Sequence, residues 1–343
     1  MRVSGRVDYT PRERLKGLFD DGGPNEPAVC LHTWGRYPFD FFDEGRAWEE
    51  GRTERFAEVY ERFWREFPCD WLHVCEGPAR YAPATKPPPA PPLSPEDVHA
   101  WIRENLDGQT FSKEEVLACG MYRHVERLSA RLGPSLMIFP NQGAPGSGFP
   151  QLSWEDQLIL IQQQPDLVAH FVEADDDRFL QRVLAARDCG ADGYIFSEGY
   201  TGACDLISPD AFARVFLEPK RRFYEAVRAA GLYGIGYFLG GIMPYLDTIN
   251  RMAVDGVMIE ENKKGFVLDP AEVRKRLEPR IVLFGNLDSC LLLRGAPGEI
   301  RDEVDRQARA RDYGKFVIAN GSPICPGTPP ENLRAFLDAA RGS

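Results

Sequence analysis

Residues 234–262 read GIGYFLGGIMPYLDTINRMAVDGVMIEEN, and this stretch decides the fold. A short apolar run stops at Gly240-Gly241, a stretch with helical apolar spacing follows, and a second apolar run, 257–259, ends at Glu260. Two buried-type strands joined by a helix predict a βαβ unit, which needs a parallel sheet. Both strands end in residues that a solvated or catalytic rim would use. In a (β/α)8 barrel, that carboxyl-terminal rim carries the chemistry.

Seven further stretches extend this pattern along the chain. Together with the central unit they give eight apolar runs, which we interpret as strands: 28–31, 71–75, 136–139, 194–196, 235–239, 257–259, 281–284 and 316–319. Helix starts lie between them, and 269–272 and 328–331 are predicted capping boxes with proline at the first helical position. We therefore predict an α/β fold, a single (β/α)8 TIM barrel over residues 1–343. Residues 78–95 are predicted to be a Pro-rich extended loop within it.

The composition is that of a soluble globular protein, with 43% hydrophobic and 27% charged residues in 343. No apolar run approaches the ~20 residues of a membrane span, and the N-terminal residues show no apolar segment of a signal peptide. The net charge of −11 speaks against nucleic acid as a partner. The eight cysteines form no C-x-x-C pair and are expected to be reduced thiols. These features predict a cytoplasmic protein that contacts neither membrane nor nucleic acid, and they leave its oligomeric state open.

Polar side chains follow the predicted strands. Several carboxylates in one barrel mouth repel one another, so they must share a proton or hold a cation. Oxygen ligands with one imidazole suit a hard or borderline divalent ion. His73 alternates with two apolar residues along a strand, so we interpret it as a core histidine. Glu261, Lys263 and Lys264 are expected to form a solvated loop.

Three later segments carry a family resemblance: SEGYTGACDLISPDAFARVFLEPKRRFYEAVRAAG (197–231), IVLFGNLDSCLLLRGAPGEI (281–300) and ANGSPICPGTPPENLRAFLDAA (319–340). With GNLD at 285–288 and TPPEN at 328–332 in that order, the chain resembles the uroporphyrinogen decarboxylase superfamily. That superfamily contains the decarboxylases of haem synthesis and the methyltransferases that serve corrinoid proteins, all on (β/α)8 barrels. The resemblance implies an enzyme with a small-molecule substrate in the barrel mouth.

The chain departs from the zinc-dependent members that activate thiols. Those members have His-x-Cys-Gly at the fifth strand end and a cysteine after the eighth strand, where this chain has Tyr237, Leu239 and Ser322. Leucine cannot ligate zinc, and neutral hydroxyls are poor ligands, so we expect no thiolate–zinc site. Members that demethylate ethers or amines use glutamate-rich zinc sites. This resemblance makes Glu198 and Glu260 the expected ligands of a divalent metal, zinc.

A second comparison within the superfamily concerns the decarboxylases. The loop after the first strand keeps a Gly-Arg-Tyr at 35–37 like the decarboxylase substrate loop, although with a single arginine. Glu76 is the candidate counterpart of the aspartate that meets the pyrrole nitrogens. Ser322 stands where the decarboxylases carry a histidine, and without a neighbouring base we expect it to line the pocket rather than act as a nucleophile.

These observations define a candidate site. We expect Glu198, Glu260 and Tyr237 to be catalytic. The predicted substrate-binding residues are His32, Arg36, Tyr37, Glu76, Asn286, Asp288, Asn320 and Ser322.

Three functions are compatible with this site. The first is methyl transfer from a small donor to a corrinoid protein or similar acceptor, indicated by the segments at 202–209, 285–288 and 328–332. The second is decarboxylation of a porphyrinogen or a smaller carboxylic acid, indicated by the loop at 35–37. The third is a barrel without catalysis that binds a ligand or a corrinoid-binding partner.

Overall fold

A computed structural model describes residues 9–20, 22, 26–77, 95–105, 111–143, 152–198, 203–262 and 265–342. Eight parallel strands form one sheet in the order β1-β8-β7-β6-β5-β4-β3-β2. The strands are β1 Ala28–Cys30, β2 Trp71–Cys75, β3 Met137–Gly143, β4 Gly193–Glu198, β5 Tyr233–Phe238, β6 Gly256–Ile259, β7 Val282–Phe284 and β8 Phe316–Ala319. Each predicted strand overlaps one of these eight. The sheet curls into a nearly closed (β/α)8 barrel, which confirms the predicted fold class.

Helices cover the outside of the barrel and its amino-terminal end. They are α1 Pro11–Phe19, α2 Tyr37–Phe41, α3 Gly45–Glu49, α4 Thr53–Glu66, α5 Pro95–Asn105, α6 Lys113–Cys119, α7 Arg123–Leu132, α8 Trp154–Gln163, α9 Pro165–Asp188, α10 Pro209–Ala229, α11 Leu246–Arg251, α12 Pro270–Arg276, α13 Ser289–Arg294, α14 Pro297–Ala308 and α15 Pro330–Gly342. No helix in these described ranges is long and apolar enough to cross a membrane. The predicted Pro-rich loop at 78–95 lies outside the described residues, apart from the first residue of α5.

The two predicted capping boxes differ from what the structure shows. Asp269 does cap α12, accepting a hydrogen bond from the Ala271 amide at 2.9 Å, but Glu272 pairs with Lys275 instead of closing back. The capping box predicted at 328–331 is wrong, because α15 begins at Pro330, one residue later than the prediction requires. The Thr328 hydroxyl instead donates to the Cys325 carbonyl at 2.8 Å.

Aromatic side chains identify the interior face of the barrel. Phe19, the last residue of α1, stacks on Tyr233 of β5 with ring centroids 4.4 Å apart and also contacts Phe139 of β3. Trp71 of β2 stacks on Phe284 of β7 at 5.1 Å. Rings from four different strands can meet in this way only inside the barrel, so they form its packed floor.

Side chains bridge the seam between β1 and β2, for which no strand ladder is described. The buried Asp70 carboxylate accepts a hydrogen bond from the Val29 amide at 2.7 Å and pairs with Arg14 at 2.8 Å. The Trp71 indole donates to the Leu31 carbonyl, and the Thr33 hydroxyl donates to the His73 carbonyl. These bonds satisfy backbone groups that a regular ladder would otherwise pair.

Candidate active site at the carboxyl ends of the strands

The interior face of β2 and β3 becomes polar toward the barrel mouth. Successive side chains of a strand point to opposite faces, so His73 shares the interior face with Trp71, and Asn141 shares it with Phe139. Both polar side chains are almost completely buried. They lie above the aromatic floor, on the side toward the carboxyl ends of their strands.

The interior face of β4 and β5 is fixed by the same alternation. A side chain at Gly193 would collide with the ring of Phe139, so Gly193 faces inward, and Ser197 faces inward with it. Tyr233 packs on the floor, which places Tyr237 on the interior face as well. Ser197 and Tyr237 are direct neighbours in the β4–β5 register.

Two imidazoles stack at the base of the mouth. The rings of His32 and His73 lie 4.7 Å apart with an interplanar angle of 26°, and the Tyr237 ring meets His32 edge-on at 5.0 Å. Burial, and secondarily the neighbouring His32, lowers the pKa of His73 well below its ordinary value. The His73 ring is therefore neutral at physiological pH. His73 is completely buried, as the interpretation as a core histidine predicts, but neither ring nitrogen has a hydrogen-bond partner among the described residues.

Tyr237 supplies a neutral hydroxyl in this region. Its hydroxyl donates to the Gly321 carbonyl at 2.8 Å. Burial raises the pKa of Tyr237, the carboxylates of Glu260 and Glu261 raise it further, and a hydrogen bond with the Ser322 side chain acts in the opposite direction. The phenol therefore keeps its proton at neutral pH and can act as a hydrogen-bond donor.

The two glutamates after β6 are both buried. Glu260 accepts a hydrogen bond from the Gly240 amide at 2.8 Å, and Glu261 accepts one from the Ser289 amide at 3.1 Å. The expectation that Glu261 belongs to a solvated loop is therefore wrong, because the amide at the start of α13 holds its carboxylate inside. Lys263 and Lys264, predicted to share that loop, lie outside the described residues.

The predicted residues after β7 and β8 mainly hold backbone. Asn286 donates to the Leu268 carbonyl at 3.2 Å, and Asp288 caps α13 through the Cys290 amide at 2.7 Å. Asn320 accepts from the His32 amide at 2.8 Å and donates to the Ser322 carbonyl at 2.6 Å. Asn320 thus joins the ends of β1 and β8 and fixes the backbone on which His32 and Ser322 stand.

Glu198 points to the outer face of the sheet, toward α10. One carboxylate oxygen lies 2.7 Å from the buried Lys220 ammonium, and the other accepts from the Tyr224 hydroxyl at 2.7 Å. The structure therefore does not bring Glu198 together with Glu260 on the interior face. The catalytic role predicted for each of them stays a prediction.

Glu76 is also held by side chains on the outer side of the sheet. Its carboxylate accepts hydrogen bonds from the Tyr122 and Tyr194 hydroxyls and lies 3.6 Å from the Arg182 guanidinium. Burial raises the pKa of Glu76, while Arg182 and the two tyrosine hydroxyls lower it. Tyr194 precedes Ile195 on β4 and lies on the opposite face from it, so this cluster is separate from the stacked imidazoles.

The loop after β1 orients its basic residue toward carboxylates. Arg36 pairs with Asp40 at 2.7 Å and with Glu49 at 2.8 Å, and the side chain is about half exposed. Tyr37 donates to the Thr328 carbonyl at 2.7 Å, and burial raises its pKa to about 12. In this arrangement Arg36 is neutralised locally, and Tyr37 fastens the start of α2 to the segment before α15.

The donor set for a metal ion is incomplete in this part of the molecule. No group of three or more His, Cys, Asp or Glu side chains that could hold an ion lies within the described residues. Glu198 already has an ammonium as its counterion, so a divalent ion would have to displace Lys220. The described residues therefore do not fit a three-ligand zinc site, and we derive no step through a metal.

Sequence reasoning missed two interior residues, Asn141 and Ser197. Both follow an apolar run, and the predicted strands ended before them. The available signal was the glycine at 193, a small residue on the strand face that continues to Ile195 and Ser197.

The fold and the site define a (β/α)8 barrel protein with buried polar side chains at the carboxyl ends of its strands. The sequence model of the uroporphyrinogen decarboxylase (URO-D) family matches residues 86–343, more than half of the chain. The chain belongs to this family and is a divergent member of its enzyme superfamily.

Similar proteins agree with this assignment. The chain is 30% identical over 235 residues to a uroporphyrinogen decarboxylase of Acidiphilium cryptum, which covers 63% of this chain and 60% of that protein. It is 28% identical over 183 residues to the Rhodospirillum rubrum enzyme, covering 53% of this chain and 50% of that protein. The matches thus span about half of these relatives. A solved methyltransferase from Methanosarcina mazei shares the fold, with 18% identity, a TM-score of 0.76 and coverage of 97% and 98% of the two chains.

Proposed function

We propose that this enzyme transfers a methyl group from a small neutral or cationic donor to a corrinoid protein or a similar acceptor. The observation that supports the proposal is the charge of the described pocket. Glu260 contributes a carboxylate beside Tyr237, whereas His73 and Tyr237 are uncharged.

Three basic side chains that the structure describes near the strand ends pair with carboxylates. Arg36 pairs with Asp40 and Glu49, Arg182 lies by Glu76, and Lys220 is bound to Glu198. Uroporphyrinogen is a polycarboxylate, and burying carboxylates without cationic partners costs several kcal/mol each. Within the described residues, the pocket therefore favours a neutral or cationic molecule.

Glu260 and Tyr237 would have different roles in such a reaction. The Glu260 carboxylate would attract a methylated ammonium or sulfonium group, whose leaving atom keeps the electron pair and departs neutral. With an oxygen donor the leaving atom needs a proton, and the phenol of Tyr237 is an acid of the required kind. A corrinoid acceptor, when bound, supplies the nucleophile.

A decarboxylase is the second candidate. The curated relatives at 28% and 30% identity are named as uroporphyrinogen decarboxylases, and the Gly-Arg-Tyr at 35–37 resembles their substrate loop. For this activity Arg36 would have to leave its two carboxylate partners and bind the substrate.

The test offers both kinds of substrate to the purified protein. Small N-, S- and O-methyl donors are incubated with reduced cobalamin, and methylcobalamin is followed by its visible spectrum. We expect Glu260→Gln to slow the reaction with a cationic donor more than with a neutral one, because only the former interacts with the charge. Tyr237→Phe should lower kcat about 100-fold or more with an oxygen donor, the contribution typical of a general acid.

The same preparation is incubated with uroporphyrinogen, and the products are analysed for carboxylate number. We expect no useful turnover. Stepwise loss of carbon dioxide that disappears in Arg36→Ala would overturn the proposal and establish the decarboxylase.

A further inference from the structure

Three polar side chains on the interior face carry buried polar atoms that have no hydrogen-bond partner within the described part of the chain. These atoms are both ring nitrogens of His73, both polar atoms of the Asn141 amide and the hydroxyl oxygen of Ser197. Buried polar atoms in native proteins nearly always have a partner, because leaving them unsatisfied is costly. Three such groups on one interior surface, unsatisfied by the described residues, are groups that a bound ligand can satisfy.

These groups lie on three neighbouring strands, and each lies closer to the carboxyl end of the barrel than the one before it. His73 is level with Phe139, and Asn141 lies two residues further along β3. Asn141 is level with Ile195, and Ser197 lies two residues further along β4. All three face the interior by strand alternation, so they form one continuous arc that reaches Tyr237. We call His73, Asn141 and Ser197 the polar arc.

The side chains of the polar arc are uncharged, and each can both donate and accept hydrogen bonds. A neutral imidazole offers one donor and one acceptor, a carboxamide offers two donors and an acceptor, and a hydroxyl offers both. None of the three supplies a positive charge, and the carboxylates of Glu260 and Glu261 act on the adjacent Tyr237. Among the described residues, a carboxylate ligand would meet like charge without a cationic partner on the arc, whereas a group with both a donor and an acceptor can satisfy each member of the arc.

We infer that the polar arc is a subsite for an uncharged group that carries both a donor and an acceptor, with a primary carboxamide as its best small representative. The inference rests on the proposed function in one respect, that a small substrate occupies this mouth. It adds which part of the substrate is recognised and by which residues.

Ligand-observed saturation-transfer NMR on the full chain tests the subsite with three probes of nearly equal shape. Propionamide has a donor and an acceptor, 2-butanone has an acceptor only, and propionate is an anion. We expect propionamide to bind, and propionate and 2-butanone to bind about tenfold more weakly, as follows from the loss of one well-formed hydrogen bond.

Two substitutions connect binding to the arc. Asn141→Leu keeps the size and removes the amide, and Ser197→Ala removes the hydroxyl. Each should weaken propionamide binding about tenfold without lowering the thermal midpoint, because neither breaks a hydrogen bond within the described chain. The matched control is Asn332→Leu, since the buried Asn332 amide donates to Leu292 and Gly295 carbonyls away from the arc. This control should lower the midpoint and keep the preference for propionamide.

The outcomes separate the subsite from the methyl-transfer proposal. Equal binding of the three probes, undiminished binding by Asn141→Leu and Ser197→Ala, or a crystal structure with propionamide that shows only ordered water on the arc would each overturn the inference. Intact selectivity for propionamide without any methyl transfer would refute the proposed function and leave the subsite standing. Methyl transfer that persists when the selectivity is absent would refute the subsite alone.

Discussion

Glu198→Gln distinguishes a structural from a metal-binding role for this glutamate. The substitution keeps the size of the side chain and one carbonyl oxygen, so the Tyr224 hydroxyl can still donate to it. What it removes is the negative charge 2.7 Å from the Lys220 ammonium, and both side chains are buried between β4 and α10. The variant therefore leaves a buried ammonium without its carboxylate.

The expected cost is large. Removing one partner of a buried ion pair destabilises a protein by about 3–5 kcal/mol, because the remaining charge is desolvated without compensation. A folded domain is stable by only about 5–15 kcal/mol, so the variant should lose a substantial part of its stability. The double variant Glu198→Gln/Lys220→Met removes both charges and should recover most of this loss.

The assay is chemical denaturation of the wild type, the two single variants and the double variant, followed by far-UV circular dichroism. Zinc content and the effect of a chelator are measured on the same samples. A loss below about 1 kcal/mol in Glu198→Gln, the size of an exposed pair, would refute the reasoning. A wild-type protein that is destabilised by the chelator, together with loss of zinc in Glu198→Gln, would instead support the prediction that Glu198 is a metal ligand.

Two further predictions concern the loop after β1 and a buried histidine. Arg36→Ala should leave the denaturation midpoint and the turnover of small methyl donors unchanged, because its guanidinium is exposed and occupied by Asp40 and Glu49; a loss of turnover would show that Arg36 binds substrate. Burial lowers the pKa of His124 to about 4 from an ordinary 6.5, so the unfolded chain binds a proton that the folded chain excludes between these values. Stability should therefore fall by up to about 3 kcal/mol from this group as the pH drops through that window. His124→Gln should remove this part of the slope in pH-dependent denaturation, and an unchanged slope would contradict the burial effect.

The architecture could be predicted because its signals are local. The runs at 71–75 and 316–319 match β2 and β8 residue for residue, and the pair at 235–239 and 257–259 matches β5 and β6 within two residues. Apolar runs of this length, separated by helical spacing, have few alternatives to a parallel sheet covered by helices. The polar residues at the strand ends were found for the same reason.

The composition of the site was harder to predict, because it depends on long-range partners. Glu261 was expected to be solvated from its charged neighbours, yet the amide of Ser289, which is 28 residues away in the chain, holds it inside. Arg36 was expected to face a substrate, yet it pairs with Asp40 of α2 and Glu49 of α3. The Glu261 contact leaves no signal in the local pattern, whereas Arg36 and Asp40 form an i, i+4 pair that is visible in the sequence.

The direction of Glu198 shows the general reason for this limit. A strand of a parallel barrel is apolar on both faces, because one face meets the barrel interior and the other meets the helices. Polarity therefore cannot tell which residues of 193–198 point inward, and a shift of one position exchanges the two sets. Contact with Phe139 orients Gly193 inward, which places Ser197 in the pocket and Glu198 against Lys220. Glu198, which the sequence made the catalytic candidate, thus lies on the helix side of the sheet, and its neighbour Ser197 faces the barrel interior.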